Sequence, residues 1–297
     1  MIKSILIPFL FFTGFLFGQQ EDIRSVGDTS FNSARTILWS VKDSVSNRTS
    51  YLLGTYHQIG NSFVDSLTKI QDALFSTDLA IFESIDNGEN VRAYLNSRDE
   101  SQEYLTALKK SDIEFLQSFA ADWGVPVSKL KPLELLTKLQ QVYFETQCGS
   151  VKATDTWDHF DNYLIHLAQS NNIAIMGLES DSVQTANISN VGPDASWKIV
   201  KKSIHTWIEY IKHSKRTDLY CHHLRTYMSM AFDYQFDLQC NENPMIKPRN
   251  QEWMELIPDL IEENSCFIAV GLLHLYGDCG LIMQLRELGY TVAPVEL

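Results

Sequence analysis

Six short runs of β-forming residues lie toward the two ends of this chain, near residues 36, 50, 79, 173, 266 and 290, and helix-patterned segments fill the middle. TILWSV (36–41) and SYLLGT (50–55) flank the polar, turn-rich KDSVSNRT, which reads as an antiparallel hairpin. LAIFE (79–83), IAIMGLES (173–180), CFIAVG (266–271) and YTVAPVEL (290–297) complete the set. They are best joined in one sheet. The expected fold is α/β: a central mixed β-sheet flanked by helices, with a helical insertion in the middle of the chain at about 84–170 and 195–250. No Pro/Gly/Ser-rich linker divides it, so residues 20–297 read as a single domain.

Apolar residues at helical spacing mark 65–75, 101–110, 111–123, 132–147, 156–170, 196–213 and 217–230. Ser111 with Glu114 three residues on has the form of a capping box. Pro132 suits a first helical turn. Residues 231–250 look like a long loop, and 251–264 like one helix kinked at Pro258. Gly289 is placed to close the helix 280–289.

Composition narrows function. The 297 residues carry a net charge of -13 and no basic run. Phosphate backbones and anionic lipid surfaces are bound through Lys and Arg, so nucleic acid is an unsuitable partner. The first residues, MIKSILIPFLFFTGFLFGQQ, combine Lys3, an apolar run and a small-residue exit, which reads as a signal peptide over 1–19. No later stretch is long and apolar enough to span a bilayer. The expected location is secreted or periplasmic. Five cysteines there allow two disulfides and a free thiol. Cys221 and Cys240 are the first expected pair, and Cys266 reads as core. Asn47-Arg48-Thr49 and Asn187-Ile188-Ser189 match the glycosylation acceptor pattern.

Three strand-like runs end on reactive residues. YLLGTYH ends at His57, LAIFE at Glu83 and FIAVGLLH at His274. Ligands in α/β sheets sit beyond the carboxyl ends of strands. A glycine three residues before each histidine is expected to turn the chain off the sheet and leave the imidazole at its rim. Two His and one Glu suit a divalent metal, whether Zn, Mn, Co or Fe. Such a metal lowers the pKa of bound water toward about 7. CHH (221–223) is a poorer site, because neighbours on a helix point about 100° apart. His159, His166, His205 and His213 read as surface or core residues of helices. The chain lacks a His-Glu-x-x-His helix, a Gly-x-Ser-x-Gly elbow, a phosphate loop and a dinucleotide fingerprint.

Longer motifs join these residues. Gly54-Thr55-Tyr56-His57 follows a strand and Glu83 closes the next. Asp161, Leu164 and Ala168 precede GLES with Glu179, then Gln184. Arg249-Asn250 stands before a late helix, and VGLLHLYGDCGL and GYTVAPV close the chain. In this order the sequence resembles the TraB/GumN family over roughly residues 36–297, a family that includes TIKI-type metal-dependent proteases. Leu272-Leu273 and Cys279 depart from the family pattern. Cys279 places a thiol near the site, or a disulfide to Cys148 or Cys240. The resemblance implies that His57, Glu83 and His274 are site residues and adds Glu179 and Arg249. Glu179 would be a ligand, an orienting partner or a general base. Arg249 would stabilise an oxyanion or a substrate carboxylate. The resulting expectation is a secreted metal-dependent hydrolase, a peptidase or another amide or ester hydrolase. The alternative is a non-catalytic protein that sequesters a peptide or haem.

Overall fold

The computed structural model describes residues 34–43, 48–85, 89–179, 196–215, 217–231, 233–240 and 245–297. The signal-peptide segment 1–19, Asn47, Gln184 and Asn187–Ser189 lie outside the described residues. The chain forms two compact units. One takes its described residues from 86–153 and 181–224, the other from 19–85, 154–180 and 225–297.

The second unit holds the whole sheet. Its strands are β1 (Leu38–Lys42), β2 (Thr49–Thr55), β3 (Leu79–Phe82), β4 (Ala174–Gly177), β5 (Cys266–Gly271) and β6 (Thr291–Pro294), in the order β4-β3-β5-β2-β1-β6. The expected hairpin forms, with Leu38 opposite Leu53 and Lys42 opposite Thr49. β6 pairs antiparallel with β1, whereas β4, β3, β5 and β2 run parallel. The sheet is therefore mixed, as the runs predicted. β5 is buried at every residue, which suits a parallel strand covered on both faces. β5 separates β2 from β3, so the carboxyl ends of three parallel strands, and of β4 beside them, reach one rim.

Several local readings change. The described residues of 231–246 form no helix or strand, as expected of a loop, but 247–264 is not a loop end followed by one kinked helix. Two short helices form, Lys247–Trp253 and Ile257–Glu263, each with proline in its first turn. Pro258 starts a helix, where a missing N–H costs nothing, and does not bend one. The helix foreseen over 156–170 begins at Phe160. The Asn61 side-chain oxygen accepts from the backbone N–H groups of Thr156 and Trp157 at 2.9 and 3.0 Å, which holds those residues out of the helix. Gly289 does follow the helix Leu281–Glu287, at φ 94°, a left-handed conformation that glycine adopts at no steric cost.

The helical unit contains Glu89–Ser97, Glu103–Ala107, Lys110–Phe119, Pro132–Tyr143 and Trp197–Lys212. Pro132 occupies the first turn as expected, and the Lys131 N–H donates to Glu134 at 2.8 Å. Ser111 is not a cap. Buried Leu108 is extended and the helix restarts after Lys109, which leaves Ser111 inside the first turn.

The expected Cys221–Cys240 disulfide does not form. Cys148 pairs with Cys221 and Cys240 with Cys279, so each bridge stays within one unit. The Cys240–Cys279 bridge is one of the alternatives left open for Cys279 by its departure from the family pattern. Cys266 is a buried free thiol at the start of β5.

Candidate functional site

The parallel strands bring His57, Glu83 and His274 to one rim of the sheet. Glu83 follows β3, His57 follows β2 by two residues, and His274 lies in a 3-10 turn, Leu272–Leu275, directly after β5. All three are at least 94% buried. His274 Nε2 lies 3.7 Å from Glu83 Oε1.

The two glycines have a different reason from the one expected. Neither has a positive φ, and both still pair in the sheet, Gly54 opposite Val270 and Gly271 opposite Thr55. Each is needed because it lacks a side chain. A Cβ on Gly54 would meet Leu272 Cδ1 at 2.6 Å and Leu275 Cδ1 at 3.0 Å. A Cβ on Gly271 would stand 3.0 Å from Glu83 Oε1, 3.8 Å from His274 Cδ2 and 3.9 Å from His57 Nε2. Gly54 thus seats the turn that carries His274, and Gly271 leaves open the space that the three site residues border. The Gly271 N–H also donates to Glu83 Oε1 at 2.6 Å.

Each histidine is held from behind. His57 Nδ1 lies 2.6 Å from Asp161 Oδ2, and the Thr55 hydroxyl donates to Asp161 Oδ1 at 2.8 Å. An ionised carboxylate only accepts, so Nδ1 carries the proton. Burial disfavours the imidazolium, but the Asp161 charge and hydrogen bond outweigh it, and the His57 pKa is raised. His274 Nδ1 lies 2.5 Å from Asn250 Oδ1. The Asn250 amide nitrogen donates to the carbonyls of His274 and Cys279 at 3.1 and 2.9 Å, which orients the side chain and leaves Oδ1 facing the ring. His274 therefore donates from Nδ1 and presents a lone pair at Nε2. Burial pushes its pKa down to about 3, so it is neutral.

Arg249 lies within the cluster at 2% exposure. Its Nε and one terminal nitrogen donate to the two oxygens of Glu179. It also donates to Glu83 Oε2 at 2.7 Å, to His274 Nε2 at 3.1 Å and to the Met245 carbonyl at 3.2 Å. These bonds use all five N–H donors of the guanidinium. Burial disfavours charge on Glu83, but Arg249 and the two histidines hold its pKa at about 2. Glu179, placed beyond β4 by its N–H bond to the Glu83 carbonyl at 2.9 Å, has a raised pKa, chiefly from burial.

The five predicted site residues are thus brought together. Asp161 and Asn250 belong to the motifs of the sequence, yet nothing there gave them a role. His159 was read as a surface or core residue. It is buried, its ring stacks on His57 at 5.2 Å, and its pKa is lowered by burial to about 4. The signal was the spacing His159-x-Asp161 at a helix start. His159 is the N-terminal cap, accepting from the Asn162 N–H at 3.4 Å, and Asp161 enters the first turn.

At this rim the donor atoms that all come within 4.8 Å of one another are those of His57, His159 and Asp161, not the expected set of His57, Glu83 and His274. His57, Glu83 and His274 border the space at Gly271, with both Nδ1 atoms engaged and a charged carboxylate beside them, the arrangement in which imidazoles ligate through Nε2. A cation there would exchange the Arg249 hydrogen bond at His274 Nε2 for a coordinate bond.

Fold and site define an α/β protein with a buried, charge-paired histidine–carboxylate site at the carboxyl ends of parallel strands. Residues 37–294 match the TraB/PrgY/gumN family, and the chain belongs to it. A comparison with individual curated proteins gives no match.

Proposed function

We propose that this protein is an exported metal-dependent hydrolase that cleaves an amide bond, with a peptide as the favoured substrate class. One observation carries the reading: strands distant in sequence deliver two oriented imidazoles and an ionised carboxylate to a space kept open by Gly271. His57, Glu83 and His274 would hold the metal, which when bound makes hydroxide available near neutral pH. Asp161 and Asn250 fix the histidine tautomers. Glu83 brings negative charge that Arg249 keeps ionised. Arg249 is a positioning residue: four of its N–H donors hold Glu83, Glu179 and the Met245 carbonyl, and the fifth points at His274. Glu179 anchors Arg249 through both oxygens. Two disulfides and the expected signal peptide support an oxidising compartment outside the cytoplasm. No helix among the described residues is long and apolar enough to cross a membrane.

The test is elemental analysis and a peptide-library screen on wild type beside a His57→Ala, His274→Ala double variant. Loss of one metal equivalent together with turnover is expected in the variant. Equal metal content in both, or turnover that persists after complete chelation, would overturn the reading. Stoichiometric peptide binding without cleavage would favour sequestration.

A further inference from the structure

The helical unit carries a separate set of metal-type donors. The helix Trp197–Lys212 buries Val200, Ile204, Trp207, Ile208 and Ile211 along one stripe. His205 and Glu209 stand one turn apart, where side chains four residues apart are neighbours. Facing them is Asp112, in the first turn of the helix Lys110–Phe119. Its side chain is 1% exposed, and both its oxygens lie against His205 Nδ1, at 2.9 and 3.1 Å. The donor atoms of Asp112, His205 and Glu209 all lie within 4.8 Å of one another.

A buried carboxylate needs a charged or hydrogen-bonding partner. The imidazole supplies one hydrogen, and a full positive charge only when protonated. Other groups around the cluster are cationic or become so: Lys109 Nζ is 2.7 Å from His205 Nε2, Lys212 Nζ 3.2 Å from Glu209 Oε1, and His213 Nε2 3.3 Å from Glu209 Oε2. Lys109 and Glu209 lie toward solvent, and the His205 side chain is 29% exposed, so an ion has a way in. A further group, Cys240, Asp278 and Cys279, is different, because both sulfurs are joined in a disulfide.

We propose that Asp112, His205 and Glu209 form a second divalent-cation site, taking a borderline transition metal such as Zn2+ or Co2+. One imidazole and two carboxylates match that class of ion and leave room for water ligands. The bound ion neutralises Asp112 and links two helices whose contributing residues are 93 positions apart. Lys109 moves into solvent when it binds. The role is structural: ligation to the folded state alone stabilises the unit.

The test titrates tag-free, metal-stripped protein with Zn2+ by calorimetry, and with Co2+ by visible absorption. The His57→Ala, His274→Ala variant removes the sheet-unit site from the measurement and is expected to keep one equivalent. Adding Glu209→Gln, which leaves the Asp112–His205 pair intact, is expected to abolish that equivalent, the Co2+ absorption bands and the rise in Tm on adding Zn2+. Lys109→Met in the same background is expected to tighten binding by removing a competing cation. Binding unchanged by Glu209→Gln, or no equivalent left in the double variant, would overturn the proposal.

Discussion

Asp161 Oδ2 approaches His57 Nδ1 to 2.6 Å although 104 residues separate them. The contact sets the tautomer of the histidine and raises its pKa. The two residues come from a strand end and a helix start, and the Phe160 N–H bond to the His57 carbonyl at 3.0 Å joins those segments directly.

Asp161→Asn keeps the shape and removes the charge. A variant cost of about 1–3 kcal/mol is expected from the weakened buried bond. In the native protein the His57 pKa lies above its unfolded value of 6.5. That contribution is fully present below pH 6.5 and is lost as pH rises through the folded pKa. The penalty of Asp161→Asn should therefore be larger at pH 6 than at pH 9, read by urea unfolding with chelator present. NMR titration should show the His57 pKa falling in the variant.

Arg249 holds two buried carboxylates and one imidazole. Arg249→Met should cost about 3–5 kcal/mol at pH 7, because Glu83 and Glu179 stay buried without a counter-charge. The Glu83 pKa then rises above its unfolded value and that of Glu179, already raised, rises further, so protonation relieves the strain and the variant should recover part of its deficit at pH 5. Arg249→Lys should rescue little, since an ammonium has three donors where the guanidinium uses five. Thermal unfolding of the three proteins at both pH values tests this. An equal deficit at pH 5 and pH 7 would contradict the charge argument.

The two glycines should separate fold from site. Gly54→Ala forces a Cβ to 2.6 Å from Leu272 Cδ1 and to 3.2 Å from its Cα. The overpacking should cost about 1–3 kcal/mol. Gly271→Ala meets the Glu83 carboxylate at 3.0 Å, so it should disturb the site more than the fold. Under chemical denaturation the Gly54 variant should lose more stability, whereas Zn2+ titration should show the larger loss at the sheet-unit site for Gly271→Ala.

His159 is buried in its neutral form, with its pKa lowered from 6.5 to about 4. Its contribution to stability is intact above pH 6.5 and is lost as pH falls through the window down to about 4. Between pH 7 and pH 5 this amounts to about 2 kcal/mol. His159→Phe should flatten that part of the acid limb in metal-free unfolding measurements. An acid limb identical to wild type would show that His159 does not titrate in this window.

Much was legible in the sequence because it depends on local pattern. Apolar runs of four to seven residues gave the strands, Pro132 and Gly289 marked helix ends, and the repeated Gly-x-x-His singled out both histidines. Errors fell where a distant partner overrides local preference. Asn61 caps the backbone at Thr156 and Trp157 and so delays a helix, and buried Leu108 moves a cap away from Ser111. Cys221 and Cys240 flank one loop-rich region of the sequence, but sulfurs pair by proximity in space, and the fold brings Cys148 to Cys221 and Cys279 to Cys240.

The sequence by itself determined the kinds of donor available, the strand ends that carry them and the family to which the chain belongs. Only the tertiary structure decided their partners. β5 enters between β2 and β3 although more than 180 residues of chain separate it from either, and that parallel register alone sets Glu83, His57 and His274 around Gly271. The pairing of Asp161 with His57, of Asn250 with His274 and of Arg249 with two glutamates follows from the same packing. A buried charge takes whichever partner the fold brings within hydrogen-bond reach, and spacing along the chain does not encode that distance.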